Sequence, residues 1–589
     1  MSHTDLLLLH PPSVYDFREK SIMYGPISDL IPSSPVFEMY PLGFLTITNY
    51  LESRGLRVRI VNLALRMMND PGFDVPVFLA RVKPQAFGID LHWLPHAHGS
   101  LEIARLVKQC HPQTPVIFGG LSASYFYDEL IRYPQVDFVL RGDATEPPLY
   151  ELLMCLAEGR TLEKVPNLVW KKDGEVQVNP MSFVPGDIDY VNLAPERIMK
   201  MVMRHRDLQS VLPFNGWWKN PITAVFNVKG CVHECVTCGG SCNASDILNL
   251  RKGPAFRSPQ NLADNIRDIS RFSRGPIFLV GDLYQAGADY AHQVLALLEA
   301  TGIRNEIVFE VFGMPPPEFL QAIDRAVQNW SLELSPESHD ENVRRRQDPQ
   351  TFYTNVEMEA VISQALSLGC HRIDVFFMIG LPGQTRDSVL ATIDYCAGLF
   401  QKSDRRLSCF ISPMGPFIDP GSHIFENPEQ YGYRLFARTL EEHRQLLLQP
   451  SWGQILNYET VWMSRDELVD ATYDAAEGLN NLKLEYGRIS RRRGGGVARR
   501  IRQARELKAR MAASGNGRAD PAALKVLYGD IHAFSVSTVC DKRELFWRRH
   551  VLNFKWLEIL RVAGAYLREQ SSRRHAGPHA VAVHRDNVS

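Results

Sequence analysis

Four thiols crowd one short stretch. Cys231, Cys235, Cys238 and Cys242 fall within twelve residues of GCVHECVTCGGSC. Thiolate sulfur binds zinc and iron–sulfur clusters. Zinc has to be weighed because Cys242 supplies a fourth ligand. Zinc ribbons, however, hold two C-x2-C pairs apart so that two knuckles close a tetrahedron, and the chain has no second pair. Three cysteines at C-x3-C-x2-C, directly after the strand-like AVFNVKG, suit a cubane with one iron left open. That argument makes Cys231, Cys235 and Cys238 the ligands and leaves Cys242 out. Zinc, or simple packing, is the alternative.

The bulk numbers set the frame. At 589 residues the chain has room for about three domains. Its 45% hydrophobic content allows large cores, and a net charge of -1 carries no nucleic-acid signature. The apolar run Leu6–Leu9 is too short for a signal-peptide core, and no stretch reaches the roughly 18 apolar residues of a membrane helix. The expectation is a cytoplasmic chain with reduced thiols, in which clustered cysteines mean metal. Cys110, Cys155, Cys370, Cys396, Cys409 and Cys540 are scattered and read as small buried hydrophobes.

Two runs of strand–helix alternation must position these residues. The first covers residues 1–165: DLLLLHPP, the helical FLTITNYLESRG, RVRIVNL, QAFGIDLHW, SLEIARLVKQCHP, PVIFGG and VDFVLRGD. Such alternation implies a parallel sheet with helices on both faces and ligands at the strand ends. Pro11, Pro12, Asp90, His92, Gly119, Gly120 and Gly142 all fall at those ends. Residues 166–220 are irregular and proline-spaced, as a connecting segment would be. The second run, residues 221–413, continues past the cysteines with PIFLVGD, EIVFEVFG, WSLELSPES, HRIDVFFMIG and LSCFISP. It predicts a (β/α)6 partial TIM barrel. Residues 414–575 read as mainly helical, with RLFARTLEEHRQLLL an amphipathic helix and RRRGGG a flexible joint; residues 576–589 read as a disordered tail.

CVHECVTC resembles the signature of the radical SAM superfamily. The resemblance implies a 4Fe-4S cluster on Cys231, Cys235 and Cys238, whose open iron chelates S-adenosyl-L-methionine and cleaves it to a 5′-deoxyadenosyl radical. Thr237 departs from the pattern, which places an aromatic before the last cysteine. Further matches follow in the family's order. FLVGDLYQ would bring Gly281 and Asp282 to the amino group of S-adenosylmethionine. ELSPESHDENVRR would bring Ser335, Glu337 and Ser338 to its ribose and carboxylate. FFMIGLPGQT would lay Met378, Ile379, Gly380 and Leu381 along its adenine. Read singly, Asp282 is a helix cap and GLPG a turn.

LLLLHPP, YPLGFLTITNYLESRG, FGGLSAS and LRGDATEPPL together resemble the cobalamin-binding domain fused to many radical SAM enzymes. The resemblance implies a Rossmann-like α/β domain with cobalamin over Pro11, Pro12, His92, Gly119, Gly120, Ser122, Gly142 and Glu146. GDATE stands where the family often has G-E-G-E. DLHWLPHAHG matches only the first half of the D-x-H-x-x-G cobalt-ligand motif, with Pro95 in place of the glycine. The expectation is therefore cobalamin without a histidine ligand, neither His92 nor His10.

The two resemblances point to a cobalamin-dependent methyltransferase acting on an unactivated carbon. The alternatives are another radical reaction with the same cofactors (ring closure, oxidation or carbon–carbon coupling) and a non-catalytic cobalamin sensor. No residue stands out as a substrate acid or base. The group implies a small-molecule or lipid-like substrate and a flavodoxin- or ferredoxin-type electron donor. The helices between Phe417 and Ser490 are expected to close the substrate side of the barrel. The basic, tryptophan-bearing stretch 544–570 is either a surface helix or a peripheral membrane contact.

Overall fold

The computed structural model describes residues 3–26, 35–348, 350–514, 521–534, 539–547 and 553–575. The expected tail 576–589 lies outside the described residues.

The first sheet has seven strands. They are β1 (Leu6–His10), β2 (Val58–Asn62), β3 (Ala86–Asp90), β4 (Val116–Gly119), β5 (Phe138–Leu140), β6 (Leu168–Lys172) and β7 (Glu175–Val178), in the order β2-β1-β3-β4-β5-β6-β7. The pairings from β2 through β5 are parallel; β6 and β7 add on antiparallel. All of LLLLH in β1 is buried, as a central parallel strand with both faces covered requires. The order reverses between β1 and β3, where a doubly wound sheet opens a crevice at its strand ends. Residues 166–220 are therefore more than a connector. The β6–β7 hairpin extends the first sheet, and the helix Pro195–His205 packs on it through Met201.

The second unit begins with β8 (Thr223–Phe226) and the short pair β9 (Val228–Lys229) and β10 (Ala255–Phe256). It continues with β11 (Ile277–Val280), β12 (Ile307–Val311), β13 (Trp330–Glu337), β14 (Ile373–Ile379) and β15 (Leu407–Pro413). β8 and β11–β15 form a six-stranded, all-parallel sheet in the order β15-β14-β13-β12-β11-β8. β8 and β15 are its two edges, so the barrel is partial.

The C-terminal third departs from expectation in two places. RLFARTLEEHRQLLL is a strand, β16 (Tyr433–Leu435), followed by a short helix Leu440–Leu446. A capping box between Thr439 and Glu442 starts that helix late, and β16 pairs antiparallel with β17 (Tyr458–Thr460). RRRGGG is not a joint: it opens the helix Arg491–Ser514. Gly494 lies against Leu484 of the helix Arg465–Glu485, where a Cβ would fall 2.7 Å from Leu484 Cδ1. The glycine lets two helices approach closely, which offsets its poor helix propensity.

Candidate functional site

The cysteine loop leaves β9 through Gly230, whose φ of +82° favours glycine. Desolvation raises all three expected ligand thiols; Cys231 and Cys238 add to it at Cys235, acids add to it at Cys231, and Cys238 is pushed up to about 12. Without a cation, thiolates are disfavoured there; bound iron would supply the missing positive charge. The N–H groups of His233 and Gly240 point at the sulfurs of Cys231 (3.5 Å) and Cys238 (3.2 Å). Cys242 stands apart: its thiol faces Glu234 and Asp246, and its N–H donates to the His233 carbonyl as the helix Cys242–Asn249 begins. The donor set fits a cluster held at three corners.

One cavity of about 1150 Å³ receives this loop. Cys231 and Cys238 line it, with Gly281 and Gln285 beside them. Gly281 ends β11 at φ +94°, packed so closely that a Cβ would sit 2.6 Å from Val228 Cγ1. Its N–H donates to Glu310 Oε2 at 2.8 Å. Asp282 is turned away and caps the next turn, accepting from the N–H groups of Tyr284 (2.8 Å) and Phe312 (3.2 Å). Glu337 sits at a bulge in β13 with φ +65°, its carboxyl close to Cys235 and Cys238. Dehydration raises that carboxyl to about 8.

The other expected contacts to S-adenosylmethionine do not line the cavity. Ser335 is half-buried on β13. Ser338 shapes a turn: its hydroxyl accepts from Asp340 N–H and its carbonyl receives Arg344. The turn of Met378, Ile379, Gly380 and Leu381 is closed by Gln384, which accepts from the N–H of Gly380 (2.8 Å) and donates to the Met378 carbonyl (3.0 Å). Tyr433 donates to the Gly380 carbonyl from outside. Thr237, at the departure from the family pattern, accepts from Gln347.

The opposite wall comes from the first sheet. His92, Gly119, Gly120, Gly142 and Glu146 all line the cavity. Gly120, at φ +120°, is pressed onto the backbone of His92, and Gly119 has nothing nearer to a Cβ than a carbonyl at 3.9 Å. Together they leave a bare shelf at the strand ends. Burial lowers His92 to about 4, so its imidazole is neutral. Glu146 Oε1 accepts from Thr46 at 2.7 Å, while Oε2 has no hydrogen-bond partner. The room, the glycine shelf and this oxygen, which has Lys229 Nζ at 3.8 Å but no hydrogen bond, fit a bulky ligand bearing polar groups. Pro11, Pro12 and Ser122 do not reach the cavity; Ser122 donates to the His92 carbonyl behind it. His10 is fully buried, with both ring nitrogens engaged by Asp90 and the Phe37 carbonyl, and is closed to a metal.

The third wall was not expected. No residue between Phe417 and Ser490 lines the cavity. Lys542, Leu545, Phe546, Trp547, Phe554 and Trp556 do. Phe554 stacks on Trp218 with ring centroids 4.6 Å apart, and backbone bonds from Arg274 to Asn553 and from Lys555 to Phe272 pin the segment down. Among the described residues no helix is long and apolar enough to cross a membrane.

Comparison with known proteins agrees with this geometry. Residues 30–149 match the B12 binding domain family and residues 228–396 the Radical SAM superfamily. The methyltransferase TsrM from Kitasatospora setae, solved with cobalamin and a 4Fe-4S cluster, shares the fold. It has a TM-score of 0.55 at 15% identity, covering 82% of this chain and 89% of that one. OxsB, a cobalamin-dependent S-adenosylmethionine radical enzyme, shares it at 0.52 and 13%, covering 98% and 81%. Among curated proteins, the anaerobic magnesium-protoporphyrin IX monomethyl ester cyclase of Synechocystis is 23% identical over 236 residues, 40% of this chain and 42% of that protein. An uncharacterized methyltransferase of Pyrococcus horikoshii is 23% identical over 169 residues, 28% of this chain and 34% of that protein. The chain thus spans less than half the length of the curated relatives it matches. With a match to the B12 binding domain followed by one to the Radical SAM superfamily, and one cavity lined by residues of both, the chain carries in order the two domains found in cobalamin-dependent radical SAM enzymes, which are domains for cobalamin and for S-adenosylmethionine with a 4Fe-4S cluster.

Proposed function

We propose that the chain is a methyltransferase acting on an unactivated carbon by way of a 5′-deoxyadenosyl radical. The observation that carries this reading is the single cavity lined by Gly119, Gly120 and Glu146 on one wall and by Cys231, Cys238 and Gly281 on another. When bound, the cluster with S-adenosylmethionine supplies a radical able to take hydrogen from an unactivated carbon, and cobalamin supplies the methyl group. The chain's own residues hold, orient and shield. Cys231, Cys235 and Cys238 are the cluster ligands. Gly281 on the cavity wall and Glu337 beside Cys235 and Cys238 would contact S-adenosylmethionine, and Asp282 would act at one remove by fixing the turn. His92, Gly119, Gly120, Gly142 and Glu146 seat cobalamin. Phe546, Trp547, Phe554 and Trp556 keep water from the cavity. The likeness to TsrM, a methyltransferase solved with tryptophan, supports a small-molecule substrate.

The experiment is anaerobic. Protein reconstituted with iron, sulfide and hydroxocobalamin is reduced and given S-adenosylmethionine, and nucleosides are analysed by mass spectrometry. Deoxyadenosine together with S-adenosylhomocysteine supports methyl transfer, and Cys231→Ala removes the deoxyadenosine. Deoxyadenosine alone favours ring closure or another radical reaction, a reading that the partial match to a cyclase recommends. A flavodoxin- or ferredoxin-type protein is the proposed electron donor. Leu557, Leu560 and Leu567, all 64% exposed or more on the helix Trp556–His575, support a peripheral membrane contact through 544–570.

A further inference from the structure

Three acids stand in one row inside the barrel. Glu310 of β12 is the register partner of Glu333 of β13, and Glu333 that of Asp374 of β14. Neighbouring strands lie about 4.8 Å apart, so the three carboxyls share one level of the interior. Two of them are satisfied. Asp374 takes Arg372 at 2.7 Å, and Glu310 takes the Gly281 N–H. The middle one, Glu333, has no side-chain hydrogen bond among the described residues, and it lines the cavity.

The charges around it do not balance. From β14, Arg372 is engaged by Asp374 and by the carbonyls of Glu544 and Phe546. From the helix Arg465–Glu485, Lys483 pairs with Glu544 at 2.8 Å. From the C-terminal wall, Lys542 pairs with Glu38 at 3.2 Å. Arg372 also acts on Glu333, but its guanidinium is bonded to Asp374, so Glu333 has only a shared cation and Glu310 has none. Burial, with Asp374 and Glu310 beside it, raises Glu333 well above the usual carboxylate range. The cavity that Glu333 lines also carries aromatic side chains, Phe278, Phe312 and Trp547 among them. Glu333 lies four residues before Glu337, about 13 Å of extended strand away from the residue that faces the thiols. It therefore belongs to the depth of the barrel and not to the rim where the cluster is held.

We propose that this pocket binds the substrate's basic nitrogen: an ammonium group on an apolar, aromatic-sized body, seated against Glu333. An ammonium supplies the charge the acid row lacks, and aromatic faces attract the same cation. Burial and the neighbouring acids favour the protonated form of Glu333 in the empty pocket; on binding the cationic amine it gives up that proton to solvent and keeps a carboxylate–ammonium pair. The inference deepens the methyl-transfer reading, because it takes the cavity to be the reaction chamber.

The test uses reconstituted holoprotein and two probes of one shape, 2-phenylethylamine and 2-phenylethanol, titrated by calorimetry in two buffers of different ionisation enthalpy. The expected result is at least tenfold tighter binding of the amine, with about one proton released per site, and loss of both the preference and the proton in Glu333→Gln. Equal binding of the two probes, or a preference that survives Glu333→Gln, overturns the proposal. If Glu333→Gln does not retain cobalamin and iron, the wild-type comparison decides alone: amine preference without proton release, or no preference, overturns it. Nucleosides are analysed in the same preparation. Loss of amine preference while S-adenosylhomocysteine still forms refutes the amine and spares methyl transfer. Deoxyadenosine without S-adenosylhomocysteine does the reverse.

Discussion

Lys229 Nζ lies 3.8 Å from Glu146 Oε2, a contact between the cysteine-loop side of the cavity and the cobalamin-side wall. Lys229 is the last residue of β9, two positions before the first cluster cysteine; Glu146 begins the helix that follows β5. The same lysine donates to the Asp143 carbonyl, and Arg251 grips the Asp143 carboxylate at 2.6 Å and 2.9 Å. The altered GDATE segment is thus the seam between the cobalamin wall and the cluster loop.

Removing the lysine leaves a buried carboxylate short of its cation. Lys229→Met should lower stability by about 1–3 kcal/mol, read as a lower urea midpoint at unchanged slope. Cobalamin retained per chain should fall with it. Adding Glu146→Gln should recover most of the stability, because the uncompensated charge is gone. A double variant no better than the single would refute the pairing.

Cys235 and Cys242 should separate cleanly. Cys235→Ala abolishes the cluster, seen as loss of iron, sulfide and the broad visible absorption. Cys242→Ala keeps all three, since its thiol faces Glu234 and not the other sulfurs. Equal iron loss in both variants would return zinc-like four-cysteine ligation to consideration.

Glu310 makes the cofactor-free protein sensitive to base. Burial raises its carboxyl from 4.5 to about 7. Between those values the folded state binds more protons than the unfolded state, so stability falls as pH rises. The contribution is full below about 4.5 and lost by about 7, roughly 3 kcal/mol across that window. Urea midpoints at pH 5 and pH 8 measure it, and Glu310→Gln should flatten the difference.

Gly120→Ala tests the shelf. A Cβ there would fall 2.5 Å from His92 Cα, at a φ of +120° that L residues rarely adopt. The expected cost is about 2 kcal/mol or more, with cobalamin binding lost before the fold. Gly119→Ala, with open space at its Cβ, should weaken cobalamin while leaving the thermal midpoint within about 1 °C, a shift well under 1 kcal/mol.

What the sequence discloses follows from locality. The three cysteines announce a cluster because their spacing is itself the chemistry. Gly119, Gly120 and Gly142 are legible because each follows an apolar run, and a glycine at the end of a buried strand has few other uses. Asp282 was equally consistent with a cap, and a cap is what the structure makes of it. Glu310 and Glu333 look like ordinary alternation in EIVFEVFG and WSLELSPES; only the curl of the barrel turns them inward, and only register sets them side by side. An acid on the inward parity of a parallel strand was the available signal, because such positions rarely hold unpaired charge. The aromatic wall at Phe546, Trp547, Phe554 and Trp556 lies in the tryptophan-bearing stretch 544–570, whose composition marks it out but does not tell a cavity wall from a surface or membrane helix. It is joined to the barrel by Arg372 and by backbone bonds to residues far earlier in the chain.

That wall also has a place in time. A ribosome makes both sheets, the cysteine loop and the glycine shelf before it reaches residues 542–556. Until then the chamber lacks the aromatic side chains of its third wall. In the finished protein that wall is already held, by Arg372 on the carbonyls of Glu544 and Phe546. A cofactor reaching the newborn chain and one reaching the finished protein therefore meet different surroundings.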